Sequence, residues 1–304
     1  MPPRVPIPAE LGPSFRVATG HEAGLTASRM RGADLSRLFR GVRMAERTLD
    51  GDRYERERLE LRARCAAYAP LAPPEWRFSH VTAARLYGIP VPRALELRRE
   101  VDVSVPVTST HVRRAGVLGH RLMQGDGRNV DGLPLVHPEV AWSQLAALVN
   151  FDELVVAGDY LVRRKRPLSS MEKLVAVTAG MRGSRGARTA RSAVGEVRPG
   201  TDSPRESVLR LIIVRSGLPE PVVGFEVIDR DGYFVGRPDL AWVESRIAIE
   251  YEGEGHWGDR EVFENDILRR ERFEAAGWRV FRVTAAHIGD PHRLVQRLNA
   301  LRAQ

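Results

Sequence analysis

Residues 201–304 alternate between helical and two-residue periodicity in an order that leaves few folds open. The spacing predicts a helix over Pro204–Ser216, then strands at Val222–Asp229, Tyr233–Asp239 and Arg246–Glu252. A helix over Arg260–Ala276, ended by Gly277, precedes a strand at Trp278–Val283. Asp290 and Pro291 open the last helix, a cap followed by proline at the first helical position. This α-β-β-β-α-β-α order is the core expected of a small mixed sheet flanked by helices.

The stretch Arg246-Ile247-Ala248-Ile249-Glu250-Tyr251-Glu252-Gly253 carries the chemistry. In a strand Ile247, Ile249 and Tyr251 share one side, so Glu250 and Glu252 share the other, about 6.7 Å apart. Two acids on one face repel unless something cationic sits between them, and a hard divalent cation such as Mg²⁺ prefers oxygen ligands. Asp239 ends the preceding strand in Gly236-Arg237-Pro238-Asp239-Leu240. A tight hairpin through Trp242–Ser245 returns the chain beside it, which places Asp239 next to Glu250. A metal held there would orient a phosphate and acidify water. His256, just past Glu252, is placed for general acid–base work. Glu206 is a further acid on the first helix, with a competing explanation. Ser203-Pro204-Arg205-Glu206 also fits a capping box with proline at its first position.

These motifs resemble the PD-(D/E)xK nuclease pattern. More closely, they resemble domains related to the very-short-patch repair endonucleases, with a Pro-Asp strand end, an acidic strand ending in Gly and a nearby His. The run Asn265–Arg270 and the tail Ala276–Val283 are similar to that family as well. The resemblance implies a restriction-endonuclease-like α/β domain over 201–304 that cleaves DNA with Mg²⁺, Mn²⁺ serving as a substitute. It implies Asp239 and Glu250 as metal ligands with Glu252 beside them, and Glu206 as the acid of the first helix. His256 would stand near the metal, and Arg269 or Arg270 would face the site from the following helix. One departure stands out: Glu252 occupies the position of the motif lysine, and residues 201–304 contain no lysine. The repair-endonuclease branch manages without it.

The net charge of +8 is unevenly placed. Residues 201–304 hold 15 Arg against 18 Asp and Glu, whereas residues 1–200 hold 32 basic against 21 acidic groups, net +11. If nucleic acid is the partner, the first two thirds supply most of the phosphate-neutralising charge. Only Lys165 and Lys173 are lysines, so a coding bias towards arginine accounts for the same excess. The single cysteine, Cys65, excludes an intramolecular disulfide and fits a reducing compartment. No stretch approaches the roughly 18 consecutive apolar residues of a membrane helix, and the proline-rich start lacks a signal-peptide core. A cytoplasmic protein without a membrane partner is expected.

Residues 1–20 read as an irregular leader and 21–165 as a mainly helical α+β region. A helical candidate at Ala27–Arg31 leads it, followed by a helix over Arg56–Tyr68 and a capped helix between Ser79 and Gly88. Strands at Glu100–Pro106 and Gly116–Leu122 precede helices at Pro138–Leu148 and Asp152–Val162. The charged break Arg163–Pro167 leads into a helical linker, 166–200. Leu35–Arg43 and Ser79–Gly88 resemble AbiEi-like antitoxin proteins, which implies a winged-helix DNA-binding part. Thr26, Ser28, Arg29 and Arg31 would then face a groove, with Arg40 as a further nucleic-acid contact; an ordinary amphipathic surface helix shows the same residues. Two functions follow. One is a metal-dependent endonuclease on double-stranded DNA. The other is a non-catalytic DNA-binding regulator or antitoxin on a degenerate nuclease fold, with an operon partner. No phosphate-cradling glycine loop, Ser-His-Asp signature or Cys/His zinc spacing points to another enzyme class.

Overall fold

The computed structural model describes residues 5–45, 50–122, 126–253 and 260–303. The chain divides into two compact units, Met1–Leu148 and Val149–Gln304. Each is α/β, with sheets flanked by helices. Among the described residues no helix is long and apolar enough to cross a membrane.

The first unit begins with β1 (Ser14–Arg16), α1 (Val17–Glu22), β2 (Leu35–Ser36) and β3 (Val42–Ala45). The leader expected to be irregular therefore contributes a strand: β1 pairs antiparallel with β3, and Phe15 joins Leu11, Leu25, Met30 and Leu35 in a small core. Prolines set the turns around this strand rather than abolishing it. The helix expected at Ala27–Arg31 is a single 3-10 turn, Arg29–Arg31. The Thr26 hydroxyl accepts from the Arg29 N–H at 3.1 Å, a local side-chain bond that competes with helix continuation.

There follow α2 (Arg53–Tyr68), β4 (Arg77–Phe78), α3 (His80–Tyr87), α4 (Arg93–Glu96), β5 (Val101–Pro106) and β6 (Val117–Leu122). The unit closes with β7 (Gly127–Val130), β8 (Leu133–Val136) and α5 (Pro138–Leu145). The sheet order is β6-β5-β4-β8-β7, with β5–β6 and β4–β8 parallel. The β7–β8 hairpin lacks an apolar period because β7 is largely exposed. Its turn, Asp131 at φ 50° and Gly132 at φ 82°, has the left-handed pair a two-residue hairpin requires.

The second unit opens with α6 (Phe151–Leu161), α7 (Met171–Gly180), α8 (Ala187–Glu196) and α9 (Pro204–Arg215). Its division from the first unit lies ahead of the Arg163–Pro167 break. The reason is a fully buried ion pair, Arg210 Nη2 to Asp159 Oδ2 at 3.0 Å, which ties α6 to α9. Then come β9 (Val222–Val223), β10 (Val227–Ile228), β11 (Phe234–Gly236), β12 (Leu240–Trp242) and β13 (Ile247–Glu252). After these stand α10 (Arg260–Ala275), β14 (Arg279–Thr284), α11 (Ala285–Gly289) and α12 (Pro291–Arg302). Two expected strands are each interrupted. Gly224, at φ 61°, separates β9 from β10, and Pro238, without an N–H to give a ladder, separates β11 from β12.

The main sheet runs β14-β13-β12-β9, with β10 and β11 as a separate ribbon. β13 and β14 are parallel and joined through α10. Side-chain alternation along β13 divides the core. Ile247 and Ile249 pack with Leu209, Ile213, Leu294 and Leu298 of α9 and α12. Ala248 faces the other way, with Phe273 of α10 and Trp278. Burial of each such large apolar side chain contributes roughly 1.5–3 kcal/mol, so the register of β13 is strongly held. Glu250 therefore falls on the α10 side.

Candidate functional site

Four elements of the second unit converge on one cluster. Leu240 pairs with Ile249 across β12 and β13, so one residue further on Asp239 stands opposite Glu250. The Tyr251 N–H donates to Asp239 Oδ2 at 2.7 Å, fixing the carboxyl at the strand end. From α10, Arg269 donates to Glu250 Oε1 through Nε at 3.1 Å and Nη2 at 2.7 Å. The same Nη2 also reaches the Arg237 carbonyl at 2.9 Å.

Gly236 makes that approach possible. A Cβ there would lie 2.9 Å from Cε2 of Phe273 and 3.8 Å from Cζ of Arg269. The glycine of the Gly-Arg-Pro-Asp stretch thus makes room for the helix that carries Arg269.

Glu206 enters from the first turn of α9 and is 6% exposed. The Ser203 hydroxyl accepts from the Glu206 N–H at 3.3 Å, which is half of the anticipated capping box. The Glu206 carboxylate instead accepts from the Asp202 N–H at 2.8 Å. Capping and membership of the cluster coincide in this residue. Burial, with the neighbouring charges of Glu206 and Glu250, pushes Asp239 up to about 7, against the opposing Tyr251 N–H and Arg269. Burial raises Glu206 as well. Burial is the larger cause for both carboxyls, with Arg269 beside Glu250 and Arg164 near Glu206 supplying positive charge against it.

The remaining expected residues lie elsewhere. Glu252 accepts from Arg282 Nη1 at 2.5 Å, and Arg270 pairs with Glu274 on the exposed side of α10. The general acid–base role expected of His256 falls outside the described residues. In the first unit Arg29 is taken up internally: its side chain is 10% exposed and bridges to Asp34 at 2.7 Å. Its Nε also donates to the Val5 carbonyl. Arg31 and Arg40 are exposed.

Sequence reasoning missed a second polar cluster, in the first unit. Among the described residues, the group of three metal-competent side chains whose ligand atoms all lie within 4.8 Å is His80, Asp102 and His120. The signal was present in Val101-Asp102-Val103-Ser104-Val105, where polar residues alternate with valines yet the whole strand is buried. A strand buried on both faces that keeps Asp and Ser on one of them must hold partners for them there.

Two uncharacterised proteins from two strains of Mycobacterium tuberculosis, MT2308 and Rv2248, are similar to this chain. Each is 26% identical over 224 residues, covering 71% of this chain and 78% of the relative. No family model matches the chain. No solved structure matches it.

Proposed function

We propose that the second unit is a restriction-endonuclease-like domain, akin to the very-short-patch repair endonucleases, that hydrolyses DNA phosphodiester bonds with Mg²⁺. The observation that carries this reading is the partly buried cluster of Glu206, Asp239 and Glu250, with Asp239 pushed up to about 7 and Arg269 against it. The donor set suits a hard cation: carboxyl oxygens, negative charge in excess, and partial burial. Asp239 and Glu250 would hold the ion, and Glu206 would add charge behind them. A divalent cation there supplies the field that acidifies water and neutralises phosphate.

The chain's own residues do the rest. Tyr251 N–H holds Asp239 in one orientation, and Arg269 holds Glu250 while keeping donors beside the phosphate position. The basic first unit, with the exposed Arg31 and Arg40, would grip the backbone of double-stranded DNA. Cleavage of supercoiled plasmid in Mg²⁺ or Mn²⁺, compared with Glu250→Gln, tests this reading. Cleavage in the wild type that the variant lacks is expected, and equal cleavage by both contradicts it.

One observation favours a second reading, a non-catalytic DNA-binding regulator or antitoxin. Glu252, which stands where the motif lysine would, is neutralised by Arg282 rather than directed to a reaction. A regulator binds one duplex tightly without metal; equal affinity for specific and random duplexes contradicts it.

A further inference from the structure

Six polar side chains crowd between α3 and the sheet of the first unit: Ser79, His80, Thr82, Asp102, Ser104 and His120. Four of these, Ser79, Thr82, Asp102 and Ser104, are at most 1% exposed. Apolar residues would fill this space at lower cost, since each buried polar group must be matched by a partner. The arrangement of those partners is directional. Asp102 Oδ2 takes the Thr82 N–H and the Thr82 hydroxyl, both at 3.2 Å, together with Arg98. Its other oxygen, Oδ1, is turned to His120 Nε2 at 3.0 Å.

The two histidines are brought together as deliberately. Ser104 and His120 are register partners on β5 and β6, which sets His120 at the sheet edge beside Asp102. His80 opens α3 at φ 48°, a left-handed conformation that costs a non-glycine residue free energy and persists where the surroundings impose it. Gln144 Oε1 accepts from its backbone N–H at 2.8 Å. So held, the His80 ring stacks on that of His120 with centroids 3.6 Å apart and planes 18° from parallel. Ser79 Oγ lies 3.0 Å from His80 Nδ1 and itself accepts from Ser104 at 2.7 Å. With Nδ1 set against the Ser79 hydroxyl, Nε2 is the ring nitrogen left for a ligand, the arrangement typical of metal-binding histidines.

We propose that His80, Asp102 and His120 form a binding site for a divalent transition-metal ion of the zinc class. Ligand atoms about 2.0–2.2 Å from a tetrahedral ion stand roughly 3.3–3.6 Å from one another. Asp102 Oδ1 and His120 Nε2 are a hydrogen-bond distance of 3.0 Å apart, and the ligand atoms of all three residues lie within 4.8 Å of one another, so small side-chain shifts bring them to that spacing. Two imidazoles and one carboxylate are a borderline donor set that selects zinc over magnesium or calcium. Three protein ligands leave a fourth position open to solvent through His120, which is 29% exposed. The Ser79, Thr82, Ser104 and Arg98 contacts act as the outer shell that orients the ligands.

The test is titration of Zn²⁺ and Co²⁺ into the EDTA-treated full chain, beside His120→Gln, His80→Asn and Asp239→Asn. Asparagine suits the left-handed backbone at position 80. One tight equivalent, with visible Co²⁺ bands, is expected for Asp239→Asn, which disables the second unit's acids, and the same tight equivalent beside a weaker one for the wild type. Affinity should fall at least 10-fold in the His120 and His80 variants. If neither histidine variant folds, the ring signals of His80 and His120 in the wild type are followed by NMR during Zn²⁺ addition. Their joint shift at one equivalent supports the site. Unmoved signals, absent wild-type binding, or undiminished binding by folded histidine variants overturn it.

Discussion

The backbone N–H of Tyr251 donates to Asp239 Oδ2 at 2.7 Å, so the carboxyl of one strand end is positioned by the main chain of its neighbour. That bond favours the charged form of Asp239, yet burial and the acids around it outweigh it. The result is a carboxyl near neutrality in the strand-end cluster, held in place before any ligand arrives.

The elevated Asp239 has a stability consequence with a definite sign. Its unfolded value is near 3.8 and its folded value about 7. At about pH 3 and below both states are protonated and the group costs nothing. As pH rises from 4 through 7, the unfolded chain ionises first and stability is lost. Asp239→Asn removes that penalty. In EDTA the variant should be more stable than wild type at pH 8, on the order of 4 kcal/mol, and equal to it at about pH 3. Urea unfolding at the two pH values checks this; a variant no more stable at pH 8 contradicts it.

In the proposed nuclease, Arg269→Met would separate cation binding from turnover. Removing its charge in Arg269→Met leaves Glu250 without its forked partner and makes the cluster more negative. Mn²⁺ affinity should hold or rise, while DNA cleavage falls about 100-fold through loss of donors near the phosphate. Calorimetry beside a plasmid assay reads both. A parallel loss of Mn²⁺ binding would mean that Arg269 merely supports the fold of the site.

The Asp159–Arg210 pair sets where the second unit begins. Asp159→Ala leaves the buried Arg210 guanidinium with Glu220, at 2.9 Å, as its remaining acid and should cost about 2–3 kcal/mol, measured by denaturant unfolding. A chain starting at Val149 should fold, and one starting at Thr201 should not. Independent folding of 201–304 would contradict this boundary.

The sequence made β13 legible because hydrophobic alternation and acids coincide in one short strand. Asp239 opposite Glu250 followed from the short hairpin. The failures have local causes. Glu250 and Glu252 share a strand face, and Arg269 from α10 engages the first while Arg282 from β14 engages the second. Neither partner is near in sequence. Arg29 was expected in a groove, yet Asp34, five residues away, captures it once Thr26 breaks the helix. His80, Asp102 and His120 stayed hidden because they gather only when β5 and β6 pair in parallel and α3 starts in a left-handed turn. No spacing rule encodes that combination.

The central claim is that the Glu206–Asp239–Glu250 cluster holds a divalent cation. The most direct measurement is calorimetric titration of Mn²⁺ at pH 7.5 into His120→Gln, which isolates the second unit's acids, and into His120→Gln/Asp239→Asn. The account predicts saturable binding of at least one Mn²⁺ by the first protein and its loss, by 10-fold or more, in the second. Equal binding by both, or none by a folded His120→Gln chain, would contradict it.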